Sequence, residues 1–235
     1  MITLASVAGA GCNSLGMLKV AVKAIVTHLG KAFDFSVFAS GGNTVAGAST
    51  ATWMCGGLTP AVSGTAIGSA QHYGDALATT VAADIQDAYV YYTGLPHAGS
   101  IFLGAAPVAT SPTFSGDIAG LRFLPGVYFA AAAITNSINV TFDAAGDPDA
   151  VFVMIIGAAF APAAASTVTL LNSAKSANIF WCCTGAVAAG AAAHMKGTII
   201  SPAAIGFGAG ATLEGRALAF GAGATTMSAN VVTTS

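Results

Sequence analysis

Between residues 121 and 219 the chain is built from short apolar runs, rich in Val, Ile, Phe and Thr and cut by Gly, Ala and Ser. They read LRFLPGVYF at 121–129, INVTFDAAGDPDAVFVMIIG at 138–157, ANIFWCC at 177–183, KGTII at 196–200 and EGRALA at 214–219. Each is too short for a membrane span or a long core helix, and the residue types favour strands closed by turns. Gly197 and Gly215 stand 18 residues apart, and Ile179 and Ile199 stand 20 apart. Such spacing suits one coil of a parallel β-helix, in which each strand pairs with its equivalent one turn on. An antiparallel sandwich would want Asn-Gly or Asp-Gly hairpin turns, and the sequence has neither.

The same residues carry a resemblance. The order LPGVY, FDAAGDPDAVFV, NIFW, GTI and GRAL resembles the microbial ice-binding β-solenoid family of bacteria, fungi and diatoms. GKAFDFSVFASGGNTVAG at 30–47 is similar to that family's opening strand and turn, and TPAVSGTAI at 59–67 to its next coil. The resemblance runs over residues 30 to 232. It implies an all-β fold with one long helix: a right-handed, discontinuous parallel β-solenoid of triangular section, the helix packed alongside. It implies no catalysis. Residues 1–29 are then an N-terminal extension, inter-subunit or capping, and 30–235 the solenoid domain.

One stretch changes period. Leu77, Val81, Ile85, Ala88 and Tyr92 recur at helical spacing and fall on one face, with Asp75, Asp84 and Asp87 turned elsewhere. Ser69 reads as the N-cap, and Gly94 followed by Pro96 as the stop, which predicts a helix over about 71–92. From 94 to 121 the chain is rich in Pro, Gly and Ser, and Pro96, Pro107 and Pro112 exclude a continuous helix there.

Composition narrows the function. Only 7% of the 235 residues are charged and 55% are apolar, whereas an ordinary soluble domain carries about 25% charged residues. The surface is therefore apolar, neutral-polar or covered. Gly, Ser, Thr and Asn break every apolar run before it reaches the length of a spanning helix, and the alternating strands of an outer-membrane barrel are missing. A net charge of −2 with scattered Lys and Arg gives no electrostatic footprint for nucleic acid. His28, His72, His97 and His194 lack zinc-site spacing. GDPD at 146–149 lacks a calcium-loop pattern and reads as an Asx turn at Asp147. The GAGAT strings at 208–212 and 221–225 lack the Lys and the strand-to-helix context of a phosphate loop. No metal, cofactor or catalytic site is expected.

The segment 1–29 lacks the basic start of a signal peptide. Met17, Leu18, Val20, Val22, Ile25 and Val26 need apolar cover, supplied by the end of the same solenoid or by a neighbouring subunit. Of the four cysteines, Cys12, Cys55, Cys182 and Cys183, the adjacent pair must point to opposite faces of its strand, so one reaches outward. An even count permits disulfides in an extracellular setting, with Cys12 bridged within the chain or to a neighbour.

Two roles compete. The resemblance implies ice binding through a flat face of small residues and threonines, to which Thr44, Thr65, Thr198 and Thr212 contribute, although no Thr array repeats coil after coil. The low charge, the extra N-terminal segment and an outward cysteine beside Ala-rich faces such as AAAAI at 130–134 point elsewhere. They favour a non-enzymatic extracellular or cell-surface structural subunit that self-assembles, as a homo-oligomer or homopolymer, into a filament or surface layer. The filament is the leading expectation, ice binding the alternative, and a secreted adhesin the third.

Overall fold

The structure, a computed structural model, describes residues 26–59, 62–64, 67–97, 101–103, 106–107 and 113–234. Its short strands stack into a coil with three faces, and almost all pairings are parallel. The first face runs Gln71–Tyr73, Met54–Gly57, Phe35–Ala39, Thr212–Ala219, His194–Ser201, Ile179–Cys183, Phe152–Ile156 and Gly126–Ala130. The second runs Val62–Gly64, Asn43–Ala46, Thr225–Ser228, Ile205–Phe207, Val187–Ala189, Phe160–Pro162, Ile134–Asn136 and Gly116–Asp117. The third runs Thr50–Ala51, Val231–Thr233, the opening halves of Thr212–Ala219 and His194–Ser201, then Thr167–Leu171, Asn139–Asp143 and Leu121–Phe123. Two short antiparallel strands, Ile101–Leu103 and Ala106–Pro107, cover the edge beyond it.

Two strands serve two faces each, and glycine lets them turn the corner. Gly197 and Gly215 are register partners with φ of 106° and 152°. A Cβ at Gly215 would overlap the carbonyl of Gly197, and one at Gly197 would meet Ile179 O at 2.7 Å. The coil repeat here is the expected 18 residues, but Ile179 and Ile199 are not partners: Ile199 pairs with Trp181 and Phe180 with Thr198. Inside the coil, Phe142, Phe152, Phe160 and Trp181 pack ring against ring, and Trp181 Nε1 donates to Lys196 O at 2.9 Å.

The stack does not follow chain order. Phe35–Ala39 pairs with Thr212–Ala219 on one side and Met54–Gly57 on the other, so the first coil lies against the last. From Phe35–Ala39 at this seam the chain climbs to Gln71–Tyr73 at one end, crosses to the far end, and coils back to the seam. The helix Ala76–Thr93, α1, makes the crossing. Its 18 residues reach about 27 Å, against about 34 Å for the seven strand steps of the first face. Ala78, Val81, Ile85, Ala88 and Tyr92 are its buried residues, and they share a cluster with Phe38, Val153, Ile155, Phe180, Ile200 and Leu218 of that face.

The helix begins later than its periodicity predicts. Gln71–Tyr73 pairs as an edge strand with Met54–Gly57, Gly74 turns at φ 67°, and Asp75 rather than Ser69 is the N-cap, its Oδ1 accepting from the N–H of Ala78 at 2.7 Å. The stop at Gly94 is as expected. Among the described residues no helix is long and apolar enough to cross a membrane. The 3-10 segment Val26–Asp34 lies beside α1: Leu29 and Ala32 are buried, His28 stacks on Tyr91 at 3.6 Å, and the Lys31 N–H donates to Asp84 Oδ2.

Candidate functional site

The second face owes its form to a short pattern. AITN at 133–136, AFAP at 159–162, AVAA at 186–189, AIGF at 204–207, ATTM at 224–227 and GNTV at 42–45 each supply one strand. In an extended chain alternate residues share a side. The second and fourth residues of every tetrapeptide are buried, while the first and third are small. Register then lines up the third positions: Thr44 beside Thr226, Thr226 beside Gly206, Gly206 beside Ala188, and Thr135 beside Ala161 on one side and Asp117 on the other. Phe160 pairs with Val187, which puts Ala161 beside Ala188. The result is one outward file at the strand spacing of about 4.8 Å.

This file is chemically plain. Thr44, Thr226, Ala188 and Ala161 are exposed, and Gly206 and Thr135 half-exposed. Thr135 Oγ1 donates to Ala161 O at 2.5 Å, which leaves its methyl for the surface. Among the strands of this face Asp117 is the one charged residue. Ala and Gly have no side-chain rotamers to lose on contact, and β-branched Thr has few, so the face is preorganised. Inside the seam, Asn43 accepts from the Thr225 hydroxyl and donates through Nδ2 to Gly56 O at 2.9 Å. That bond fixes the two strands from which Thr44 and Thr226 project.

The third face is richer in threonine but differs in kind. Asn139 Oδ1 accepts the hydroxyls of Thr167 and Thr169 at 2.8 and 2.7 Å, and Asn139 Nδ2 reaches Thr141. His194 Nδ1 meets Thr212 Oγ1 at 2.9 Å. Arg122 pairs with the buried Asp143, and Lys196 with Glu214, which also accepts from Ser176 Oγ. The hydroxyls of Thr141, Thr167, Thr169 and Thr212 are engaged by Asn139 and His194, and the face carries two ion pairs.

The four threonines expected on an ice face separate. Thr44 lies on the second face. Thr212 lies on the third, half-buried and bonded to His194. Thr198 is a correction: it is fully buried on the first face, in register between Phe180 and Arg216, because α1 covers that side. Thr65 lies outside the described residues, as do Cys12, Met17, Leu18, Val20, Val22, Ile25 and the side chain of Val26.

The cysteine expectation also changes. Cys182 points out of the coil as alternation requires, but it packs in the cluster under α1, while Cys183 and Cys55 face the central core. All three are buried free thiols. Burial pushes Cys55 up to about 12 and raises Cys182 and Cys183 as well, so none is a ready thiolate. Asp147 does close its turn, Oδ1 accepting the Asp149 N–H at 3.1 Å. The two GAGAT strings occupy different corners, one after Ile205–Phe207 and one before Thr225–Ser228. Among the described residues no group of three His, Cys, Asp or Glu is placed to hold a metal.

The outward file escapes a search for threonine because half of it is Ala and Gly. The signal that finds it is the tetrapeptide itself, small residues at positions one and three, recurring once per coil.

A family model described as ice-binding-like matches residues 20–233. An ice-binding protein of Colwellia sp. is 35% identical over 113 residues, 48% of this chain. That match spans 44% of the relative's length, and a second, to an ice-binding protein of Lentinula edodes, spans 38% of its length. Among solved structures, an ice-binding protein from the Antarctic ascomycete Antarctomyces psychrotrophicus superposes with a TM-score of 0.79 at 28% identity, covering 87% of this chain and 96% of that one. An ice-binding protein from an Antarctic biological consortium superposes with a TM-score of 0.76 at 34% identity, covering 88% and 90%. With the family match running over nearly all of the coiled region, this chain belongs to the ice-binding-like family.

Proposed function

We propose that this protein binds ice through its second face. The observation that carries the reading is the in-register file Thr44, Thr226, Gly206, Ala188, Ala161 and Thr135. Methyls and backbone at a fixed spacing leave the water above them free to bond to itself in a repeating layer, with the Thr44 and Thr226 hydroxyls as anchors. An ionised side chain would instead keep its own shell, and stripping that shell is costly. The names of the similar proteins support the same reading.

The filament reading gives way to it. The outward cysteine that favoured assembly is covered by α1, and the low charge finds its use in an uncharged face. An ice-binding role places the protein outside the cell or at its surface.

The test is thermal hysteresis, the gap between melting and growth temperatures, together with crystal shape. Wild-type protein adsorbs to ice and opens a gap, a small one because few file positions carry hydroxyls. Thr226→Tyr and Ala188→Tyr lose most of that gap while their melting temperatures stay close to wild type, since exposed substitutions cost within about 0.5 kcal/mol. Thr169→Tyr on the third face keeps it. Loss in the third-face variant alone would move the ice contact to that face.

A further inference from the structure

We infer that Asp117 terminates the ice-contacting face and sets its length at one end, an inference that rests on the reading of the second face given above. Seven register positions of that face, from Ser63 through Thr135, are uncharged. The eighth is Asp117, in register with Thr135 on the strand Gly116–Asp117. It is exposed, so its carboxylate stands in the same file as the methyls and hydroxyls.

The carboxylate is held there rather than trailing in solvent. Asp117 Oδ1 accepts the N–H groups of Ala119 and Ser137, each at 3.0 Å. The Ser137 side chain, its backbone and Ala119 together hold the group below the usual carboxylate range. An ionised carboxylate at this place orients its water toward a charge instead of toward neighbouring water. Gly116 and Gly120 flank it with φ of 71° and 79°, and a Cβ at either would meet nothing within 4 Å. Among the described residues, then, no atom crowds either glycine beside the exposed Asp117.

Asn is the conservative probe. It keeps the side-chain oxygen for the two backbone N–H groups, offers its amide to Ser137, and removes only the charge. Asp117→Asn should raise hysteresis at least about 1.2-fold at equal concentration, one strand spacing added to the six already spanned. Asp117→Thr, which extends the file in kind, should move in the same direction. Both are compared with Thr226→Tyr, and each melting temperature is measured to establish that the variant is folded. A rise in the Asp117 variants together with loss in Thr226→Tyr supports the terminator. No rise in either Asp117 variant, with activity still lost in Thr226→Tyr, overturns the terminator and leaves the face intact. Thr226→Tyr indistinguishable from wild type overturns the face and the terminator with it.

Discussion

Arg216 is the largest charged side chain in the interior, 1% exposed in a chain with few charges. Its Nε donates to Phe33 O at 2.8 Å, and its guanidinium lies 4.1 Å from the Phe33 ring centre and 5.1 Å from that of Trp53. Nη2 has no hydrogen-bond partner among the described residues. Burial pushes its pKa down to about 10, with Asp34 opposing. Packing and the cation–π contacts favour the residue while desolvation opposes it. Arg216→Ala should therefore cost about 2–5 kcal/mol, mainly through the void left behind, and Arg216→Met, which refills the void without a charge, should cost clearly less. Urea denaturation of the two variants measures both, and equal losses would show that the charge itself is what matters. At this scale the sequence was partly legible: Asp147 announced its turn and the alternation of Cys182 and Cys183 was foreseeable. Thr198 was not separable from Thr44, because both are threonines in extended segments and only the docking of α1 distinguishes their faces.

Among the elements, the strands were the readable part, since β-branched and aromatic runs between small residues have few other uses. The start of α1 was less readable. Its apolar stripe fades into Gln71–Tyr73, whose three residues become a strand only because Met54–Gly57 offers an edge. The ends of elements here depend on carboxylates. Asp75 is held below the usual range by the Ala78 N–H and by His72, and Asp117 by Ser137 and Ala119. A carboxyl whose folded pKa is depressed binds its proton more readily in the unfolded chain, so its contribution is present above the ordinary carboxylate pKa and lost as pH falls through the lower folded value. The urea midpoint should hold level down to about pH 5 and drop below about pH 4. The double variant Asp75→Asn, Asp117→Asn should drop less steeply. A midpoint in that variant that tracks wild type through the acid limb would remove these two groups from the account.

For the whole molecule, the topology contradicts what a solenoid usually implies. A simple stack is held only by neighbours and can fray coil by coil. Here the first coil is inserted against the last, and α1 packs along several coils at once. The two tryptophans lie on opposite sides of the seam, Trp53 in the early coils with its ring reaching Arg216 across it, and Trp181 well inside the late ones. In urea, Trp53→Phe and Trp181→Phe variants, each followed through the remaining indole, should show transitions that coincide with each other and with far-UV circular dichroism. Separated midpoints would mean that the two sets of coils unfold as independent units. The same seam bears on how the protein is made. Phe35–Ala39 leaves the ribosome with its partner Thr212–Ala219 still untranslated, and at about 5–20 residues per second that partner follows on the order of 10–40 s later. Until then the nascent strands 35–73 form a stub open on the side where the rest of the molecule belongs. The native fold is thus completed only at the end of synthesis or after it, and the edge of Phe35–Ala39 that receives Thr212–Ala219 stays unpaired in the meantime.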